Sequence, residues 1–188
     1  MSVIDIVGST LLGAAVLLAI FGMNFVLSDS SQQFGADLNA QENMVEFTKA
    51  IQWDLAKIGY RDTTRAPILV ARPDTLVFLG DIDNDGTVDV VKYYKGSPAM
   101  LSSTPNPNDF ILYRIIVNKT ENLAMNLGLT KFQLSYVDST GTLTLDPKLV
   151  RGVKIVAMVQ SPYSAADSAY SGAYWENTIY PRNLNVNK

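Results

Sequence analysis

The segment from Asp81 to Asp89 holds the residues best suited to chemistry in this 188-residue chain. It reads Asp-Ile-Asp-Asn-Asp-Gly-Thr-Val-Asp, so carboxylates stand at positions one, three, five and nine and glycine stands at position six. Alternate side chains converge in such a loop, and carboxylate oxygens are the ligands that calcium prefers. We therefore predict a calcium loop whose ligands are Asp81, Asp83, Asp85 and Asp89, together with the backbone carbonyl of Thr87.

The segment departs from an EF-hand at its end. Lys92 stands at position twelve, where an EF-hand has a bidentate glutamate, and the residues that follow the loop have the pattern of a strand. A second interpretation is open, because Asn-Asp-Gly between two β-rich segments is typical of a hairpin turn with solvent-facing aspartates. Four carboxylates this close repel one another unless a cation or water separates them, so both interpretations stand.

Histidine and cysteine are both absent from the chain. Their absence excludes histidine-based nucleophilic triads, zinc sites built on cysteine or histidine, and c-type haem attachment, so we expect neither haem nor zinc. The net charge is −3 and no basic cluster occurs, so nucleic acid is not expected to be the main partner. No pair of carboxylates has a spacing that supports glycoside hydrolysis. We predict that the protein is not an enzyme.

An uncharged apolar run extends from Ile6 to Ser28, which is long enough to cross a bilayer as a helix. No lysine or arginine precedes this run and no small-residue cleavage site ends it, which argues against a secretory signal peptide. Asp5 is a lone carboxylate at the head of the helix. From the residues alone, it is expected near the lipid headgroups, where the helix dipole favours an anion. Residues 1–28 are therefore predicted to form an apolar transmembrane or filament-core helix.

Residues 29–60 are predicted to form the amphipathic half of the same helix. Ser28, Asp29, Ser30 and Ser31 look like a break or a cap, and the pattern resumes at Gln32. Apolar residues recur at helical spacings while polar residues, Asp54 among them, occupy other faces. Gly59 is a candidate C-cap. The apolar positions are Phe34, Leu38, Val45, Ile51, Leu55 and Ile58.

Residues 61–188 have β-rich composition and a period of two, which predicts a globular head. The strand candidates are Ile68–Ala71, Thr75–Leu79, Thr87–Tyr94, Phe110–Val117, Leu129–Val137 and Val153–Gln160. Residues 161–176 are rich in Ser, Ala, Tyr and Gly and are expected to form an exposed excursion without strands. The predicted fold is α+β, with one long N-terminal helix packed by its second half on an antiparallel sheet.

The chain resembles the type IV pilins and pseudopilins, in particular the minor members of that family. The opening Met1-Ser2-Val3-Ile4-Asp5, followed by the apolar run and the amphipathic helix, is similar to one of their mature N-termini. Several short motifs of the head occur in the same order as in minor pilins. These are Asp54-Leu55…Gly59-Tyr60, Gly80-Asp81…Asp85-Gly86, Tyr93, Leu112-Tyr113-Arg114, Phe132…Tyr136-Val137-Asp138…Gly141 and Pro181-Arg182-Asn183-Leu184.

The resemblance gives three residues a role in assembly. Family members begin with a hydrophobic, usually N-methylated residue, so Met1 is expected to be the N-terminus that leader removal leaves. They carry an acidic residue four positions later, where Asp5 replaces the more usual glutamate. The carboxylate is expected to pair with the amine of Met1 on a neighbouring subunit and so to fix the axial register of the filament. Gly22 lies where many members have a proline.

The resemblance also implies the partners and the location. We expect a structural subunit that waits in the inner membrane and is then extracted into a helical, extracellular filament of its own copies. A prepilin peptidase, an assembly platform and an ATPase motor are the implied partners. Two alternatives are open: a minor pseudopilin of a secretion pseudopilus, and a membrane-anchored, calcium-binding adhesion domain that does not polymerise.

Overall fold

One long helix dominates the N-terminal part of the chain. The structure, a computed structural model, describes residues 2–64, 66–97, 105–117, 119, 122–164 and 170–184. Helix α1 runs from Val3–Ala56 and continues without a break through the polar run at residues 28–31, contrary to the break considered there. Serine and aspartate cost a helix interior only about 0.7 kcal/mol or less each, and no glycine or proline stands in this run.

The chain divides into two compact units, Met1–Ala36 and Asp37–Lys188. In the first unit every described residue up to Phe34 is exposed, including large apolar residues such as Val3 and Phe25. An 18-residue window of this helix is long and apolar enough to cross a membrane, and none of that window is buried. The first unit therefore fits membrane anchoring.

In the second unit, helix α1 buries one narrow stripe against the sheet. The stripe consists of Ala40, Met44, Phe47, Ile51 and Leu55, at spacings of three and four residues. The ring of Phe47 meets those of Phe132 and Trp175 edge-on, each with centroids 6.2 Å apart. Ile51 and Leu55 were predicted on the buried face.

Two other residues predicted for that face, Leu38 and Val45, are exposed, because a second apolar stripe is offset around the helix from the buried one. Phe34 was also part of the predicted pattern. It belongs to the first unit and is exposed. The sequence pattern did not separate the two stripes, because the apolar residues of both recur at helical spacings. The second unit thus carries an apolar helix face that its own sheet leaves uncovered.

The end of helix α1 is joined closely to the sheet. Gly59 adopts a positive φ of 75°, as a C-cap glycine does, and its N–H donates to the carbonyl of Leu79 at 2.7 Å. A Cβ atom at Gly80 would lie 2.3 Å from the carbonyl oxygen of Lys57, so only glycine allows this approach. The approach brings the start of the aspartate loop beside the helix end, where Asp81 N–H donates to the carbonyl of Tyr60 at 3.1 Å.

The second unit is built on a seven-stranded antiparallel sheet in which each strand pairs with the next along the chain. Alternate residues enter the core, as the burial of Leu76 and Phe78 in β2 illustrates. The predicted α+β fold is confirmed. The strands are β1 Ile68–Arg72, β2 Thr75–Gly80, β3 Asp89–Lys95, β4 Phe110–Ile116, β5 Asn122–Val137, β6 Gly152–Ser164 and β7 Tyr170–Ile179, and a short 3-10 helix follows at Arg182–Leu184.

The excursion predicted after Gln160 is wrong for the part that the structure describes. Strand β6 continues to Ser164, and β7 pairs with it along most of its length, from Tyr170 to Ile179. Residues 165–169 lie outside the described residues. Strand β7 is an edge strand in which no residue is fully buried, so its sequence lacks the clear alternation that reveals a strand with one buried face. At Gly172 a Cβ would lie 2.7 Å from the carbonyl of Val159, so its smallness serves close pairing.

Candidate metal centre in the aspartate loop

The aspartate loop, residues 81–88, connects β2 to β3. Gly80 and Asp89 face each other across the end of the ladder, so eight residues form the connection, not a two-residue hairpin turn. Asn84 and Gly86 adopt positive φ values of 65° and 92°, a conformation that these residue types tolerate best. These two positions let the chain turn sharply inside the loop.

Hydrogen bonds from the backbone hold the carboxylates of the loop in place. Asp83 Oδ1 accepts from the N–H of Asp85 at 3.2 Å, and Asp85 Oδ1 accepts from the N–H of Thr87 at 2.7 Å. Asp89 Oδ2 accepts from the N–H of Ile82 at 3.2 Å, which ties the two ends of the loop together. The loop therefore orders its acidic side chains locally.

Three of the predicted ligands converge. One carboxylate oxygen from each of Asp81, Asp83 and Asp89 lies within 4.8 Å of the others, with Asp81 and Asp89 buried and Asp83 exposed. Oxygen ligands in such a group suit a hard cation like calcium, and one exposed member leaves the group open to solvent. The three carboxylates could bind a metal ion.

Asp81 is the most unusual member of this group because its carboxylate is fully buried. Its Oδ2 atom accepts two hydrogen bonds, from Arg61 Nη1 at 2.9 Å and from the N–H of Gly86 at 3.0 Å. Its Oδ1 atom is buried and has no hydrogen-bond partner in the described part of the chain. A buried, unpaired carboxylate oxygen is costly, so Oδ1 is a position that a cation would satisfy.

Lys119, in the connection between β4 and β5, contacts the carboxylates of the loop. Its Nζ donates to Asp83 Oδ2, and it lies 3.0 Å from Asp85 Oδ2 and 3.3 Å from Asp89 Oδ1. The hydrogen bond from Lys119 lowers the pKa of Asp83, while the N–H of Thr87, followed by Lys119, lowers the pKa of Asp85. Hydrogen bonds to Asp83 and Asp85 raise the pKa of Lys119 above its usual range.

Lys57, the residue directly after helix α1, also contacts the loop. Lys57 Nζ donates to the carbonyl of Ile82 and to Asn84 Oδ1, the latter at 3.2 Å, and lies 4.6 Å from the centroid of the Trp53 ring. Lys57 thus holds the loop through neutral oxygens, whereas Arg61 and Lys119 pair with its carboxylates.

The remaining predicted ligands take other places. Asp85 shares the ammonium of Lys119 with the group of three but does not belong to that group. Thr87 supplies its N–H to Asp85. Lys92 lies within strand β3 with its Nζ 4.7 Å from the centroid of the Tyr94 ring, so position twelve is part of a strand, as the sequence predicted.

Sequence reasoning missed Lys119 and Arg61, although both are neighbours of the predicted ligands. Lys119 follows Asp83 by 36 residues, and only the pairing of β3 with β4 brings its connection beside the loop. Arg61 lies close in sequence to the predicted helix end and adopts a positive φ of 58° there. A basic residue two positions after the C-cap glycine was the available signal.

At the other end of the chain, Asp5 has a local partner. Its Oδ2 accepts from the N–H of Ser2 at 3.0 Å, while Ser2 Oγ accepts from the N–H of Ile4 at 3.3 Å. The arrangement is similar to a capping box with aspartate in place of glutamate, except that Ser2 Oγ accepts from the N–H of Ile4 and not of Asp5. Met1 lies outside the described residues. At Gly22 no described atom lies within 4 Å of where a Cβ would stand, so no contact among the described residues requires a glycine there.

A second buried polar cluster is centred on the carboxylate of Asp54 and connects the helix to the sheet. Asp54, predicted on a polar face of the helix, is only 2% exposed. Its Oδ2 accepts from Tyr93 Oη at 2.6 Å and from Arg114 Nε at 2.5 Å, and its Oδ1 accepts from Arg114 Nη2 at 3.2 Å. Burial raises the pKa of Tyr93 well above its usual value, and the charge of Asp54 adds to that rise. The cluster joins helix α1 to β3 and β4.

No protein-family model matches the sequence, and no curated protein matches it. The pilin resemblance therefore stays a hypothesis that depends on the residues themselves.

Proposed function

We propose that this chain is a structural subunit of a type IV pilus-like filament and that it polymerises through its N-terminal helix. One observation carries the proposal: every described residue from Ser2 to Phe34 of a helix rich in leucine, valine, isoleucine and phenylalanine is exposed. The exposure of so much apolar surface to water is unfavourable, so lipid or other copies of the helix must cover it. A filament core built from such helices covers it after the chain leaves the membrane.

The second unit supplies further support. Leu38, Val45 and Trp53 form the outer stripe of helix α1, and they are 43%, 48% and 59% exposed. These residues lie on the amphipathic half of the helix, beyond the apolar run that a bilayer would cover. A lipid anchor alone gives this outer stripe no role, whereas a neighbouring subunit in a filament would cover it.

The family hypothesis extends the proposal to partners and location. The chain would wait in the inner membrane, meet a prepilin peptidase, an assembly platform and an ATPase, and then enter an extracellular filament. A minor pseudopilin that starts a secretion pseudopilus is the closest alternative. A membrane-anchored adhesion domain that never polymerises is the alternative from another class.

Electron microscopy of material sheared from cells that express the chain tests this proposal. We expect filaments that an antibody against residues 61–188 decorates along their length. Decoration only at one end would favour the minor pseudopilin. An antigen that stays entirely in the membrane fraction, with no decorated filament, would contradict the proposal and favour the anchored domain.

We also propose that the aspartate loop binds calcium. The support is the group of three carboxylates together with the buried, unpartnered Oδ1 of Asp81. Asp81, Asp83 and Asp89 would hold the ion, and the ion would supply positive charge that joins β2, β3 and their connection. Binding to the folded state alone then stabilises the head by mass action.

Thermal unfolding of the full chain in detergent micelles tests calcium binding. At calcium about 100-fold above its dissociation constant the gain is about 2.7 kcal/mol, which corresponds to a Tm rise of about 5–10 °C for a chain of this size. Asp83→Asn should lose most of that rise. Magnesium should have less effect because it gives up its water shell reluctantly. A Tm that responds to neither calcium nor chelator would contradict the proposal.

A further inference from the structure

The aspartate loop already contains a cation of its own, the ammonium of Lys119. Its Nζ contacts Asp83, Asp85 and Asp89, and two of these, Asp83 and Asp89, also belong to the group of three that could bind a metal ion. An ion held by Asp83 and Asp89 would therefore use carboxylates that Lys119 occupies. Two positive charges cannot share these oxygens without strong repulsion.

Lys119 does not neutralise every carboxylate of the group that could bind a metal ion, because Asp81 is not among its contacts. None of the contacts of Lys119 reaches Asp81, whose Oδ1 is buried without a partner in the described part of the chain. Arg61 pairs with the other oxygen of Asp81, Oδ2, at 2.9 Å. A divalent ion could contact Asp81 together with Asp83 and Asp89, whereas the ammonium of Lys119 contacts Asp83, Asp85 and Asp89.

We propose that Lys119 is an internal competitor for calcium, so that calcium binding displaces its ammonium from the loop. This inference depends on the calcium binding proposed above. Lys119 would set the affinity of the site: it keeps the carboxylates together when calcium is scarce and yields them when calcium is abundant. Its side chain is one-quarter exposed, so a path into solvent exists.

Calcium titration calorimetry of the full chain in detergent micelles tests the competition. Lys119→Gln removes the ammonium and retains a side chain of similar length. Since three partly exposed ion pairs must be broken in the wild type, we expect Lys119→Gln to bind calcium about tenfold or more tightly. Lys154→Gln is the matched control, because Lys154 pairs with Glu176 on strands β6 and β7 and contacts no residue of the loop. It should bind as the wild type does.

Nuclear magnetic resonance of the lysine side chains gives a second reading. With 13C-labelled lysine, the Cε signal that Lys119→Gln removes should shift when calcium is added to the wild-type chain, while the signal of Lys154 stays. Unchanged Lys119 signals with saturating calcium, or equal affinities in the wild type and Lys119→Gln, would overturn the competition while leaving calcium binding in place. No binding by either protein would overturn both the inference and the calcium function.

Discussion

Among the described residues Asp5 has Ser2 as its partner, and in the proposed filament it would have a different one. Within the chain its carboxylate caps the helix by accepting from the N–H of Ser2. In the filament it would pair with the amine of Met1 on the next subunit. The first role needs a hydrogen-bond acceptor, whereas the second needs a negative charge, so two substitutions at this position separate them.

Asp5→Asn keeps an acceptor for Ser2 but removes the charge. If the charge pair is buried in the filament, its loss costs about 3–5 kcal/mol, which weakens subunit association about 100-fold or more. We therefore expect Asp5→Asn and Asp5→Ala alike to abolish filaments in sheared material. Asp29→Ala, an exposed acidic residue of the same helix, should leave them intact. Normal filament yield from Asp5→Asn would leave only the capping role.

The ion pairs of Lys119 predict how acid affects the head. In the folded chain, Lys119 lowers the pKa of Asp83, and the N–H of Thr87, followed by Lys119, lowers the pKa of Asp85. A carboxyl with a lowered folded pKa adds stability above its unfolded pKa of about 3.9, and that stability is lost as pH falls through the folded pKa. In calcium-free buffer, the Tm of the wild type should therefore fall more steeply between about pH 5 and 3 than that of Lys119→Gln.

Other carboxyls with lowered pKa values, such as Asp138 and Glu176, titrate in both proteins, so the difference between the two curves isolates Lys119. Parallel curves of Tm against pH would contradict this contribution.

At the scale of elements, the Asp54 cluster joins helix α1 to the sheet. Asp54→Ala leaves the mostly buried Arg114 without its anion, and breaking such a pair costs about 3–5 kcal/mol. Tyr93→Phe removes one hydrogen bond and should cost about 0.5–1.5 kcal/mol. Thermal unfolding of both variants in micelles measures the order, with the exposed Asp37→Ala as control. Similar small losses from Asp54→Ala and Asp37→Ala would show that the cluster adds little stability.

The contact between the end of helix α1 and β2 depends on Gly80. Gly80→Ala would place a Cβ against the backbone of Lys57, so helix or strand must shift, at a cost of about 1–3 kcal/mol or more. Gly35→Ala is the opposite case, because no described atom lies within 4 Å of its added Cβ; it should gain up to about 1 kcal/mol of helix propensity. If Gly80→Ala unfolds at the wild-type Tm, the close approach is not required.

The elements differ in how well the sequence predicts them. Strands with one buried face, such as β2, show a period of two and were predicted to within one residue. The edge strand β7 shows no such period. Likewise, the spacing of Asp81, Asp83 and Asp89 follows from the loop itself, whereas Lys119 joins them through strand pairing. Local patterns therefore predicted three carboxylates that the structure brings together, and long-range pairing supplied their counter-ion.

At the scale of the whole molecule, the two units expose apolar surface that one chain does not cover. Val45, in the outer stripe, is well placed to test whether another subunit covers it, because its side chain is exposed. Val45→Glu should leave the free energy of unfolding of the isolated chain within about 0.5 kcal/mol of the wild-type value and prevent filament formation. Ser139→Glu, on an exposed turn, is the control. Filaments of normal length from Val45→Glu would show that the stripe stays exposed.

Polymerisation through the helix is the central claim, and cysteine cross-linking in cells tests it most directly. The chain has no cysteine of its own, so Val7→Cys combined with Leu18→Cys supplies the only thiols. The two positions are exposed and about 16 Å apart along the helix, too far for a shorter thiol cross-linker to bridge within one chain. The pair Gly8→Cys and Ala19→Cys samples a neighbouring face.

A filament predicts a ladder of trimers and larger species from a double variant, whereas each single variant stops at dimers. Double variants that also yield only monomers and dimers, while the chain is present in the sheared surface fraction, would contradict polymerisation through the helix.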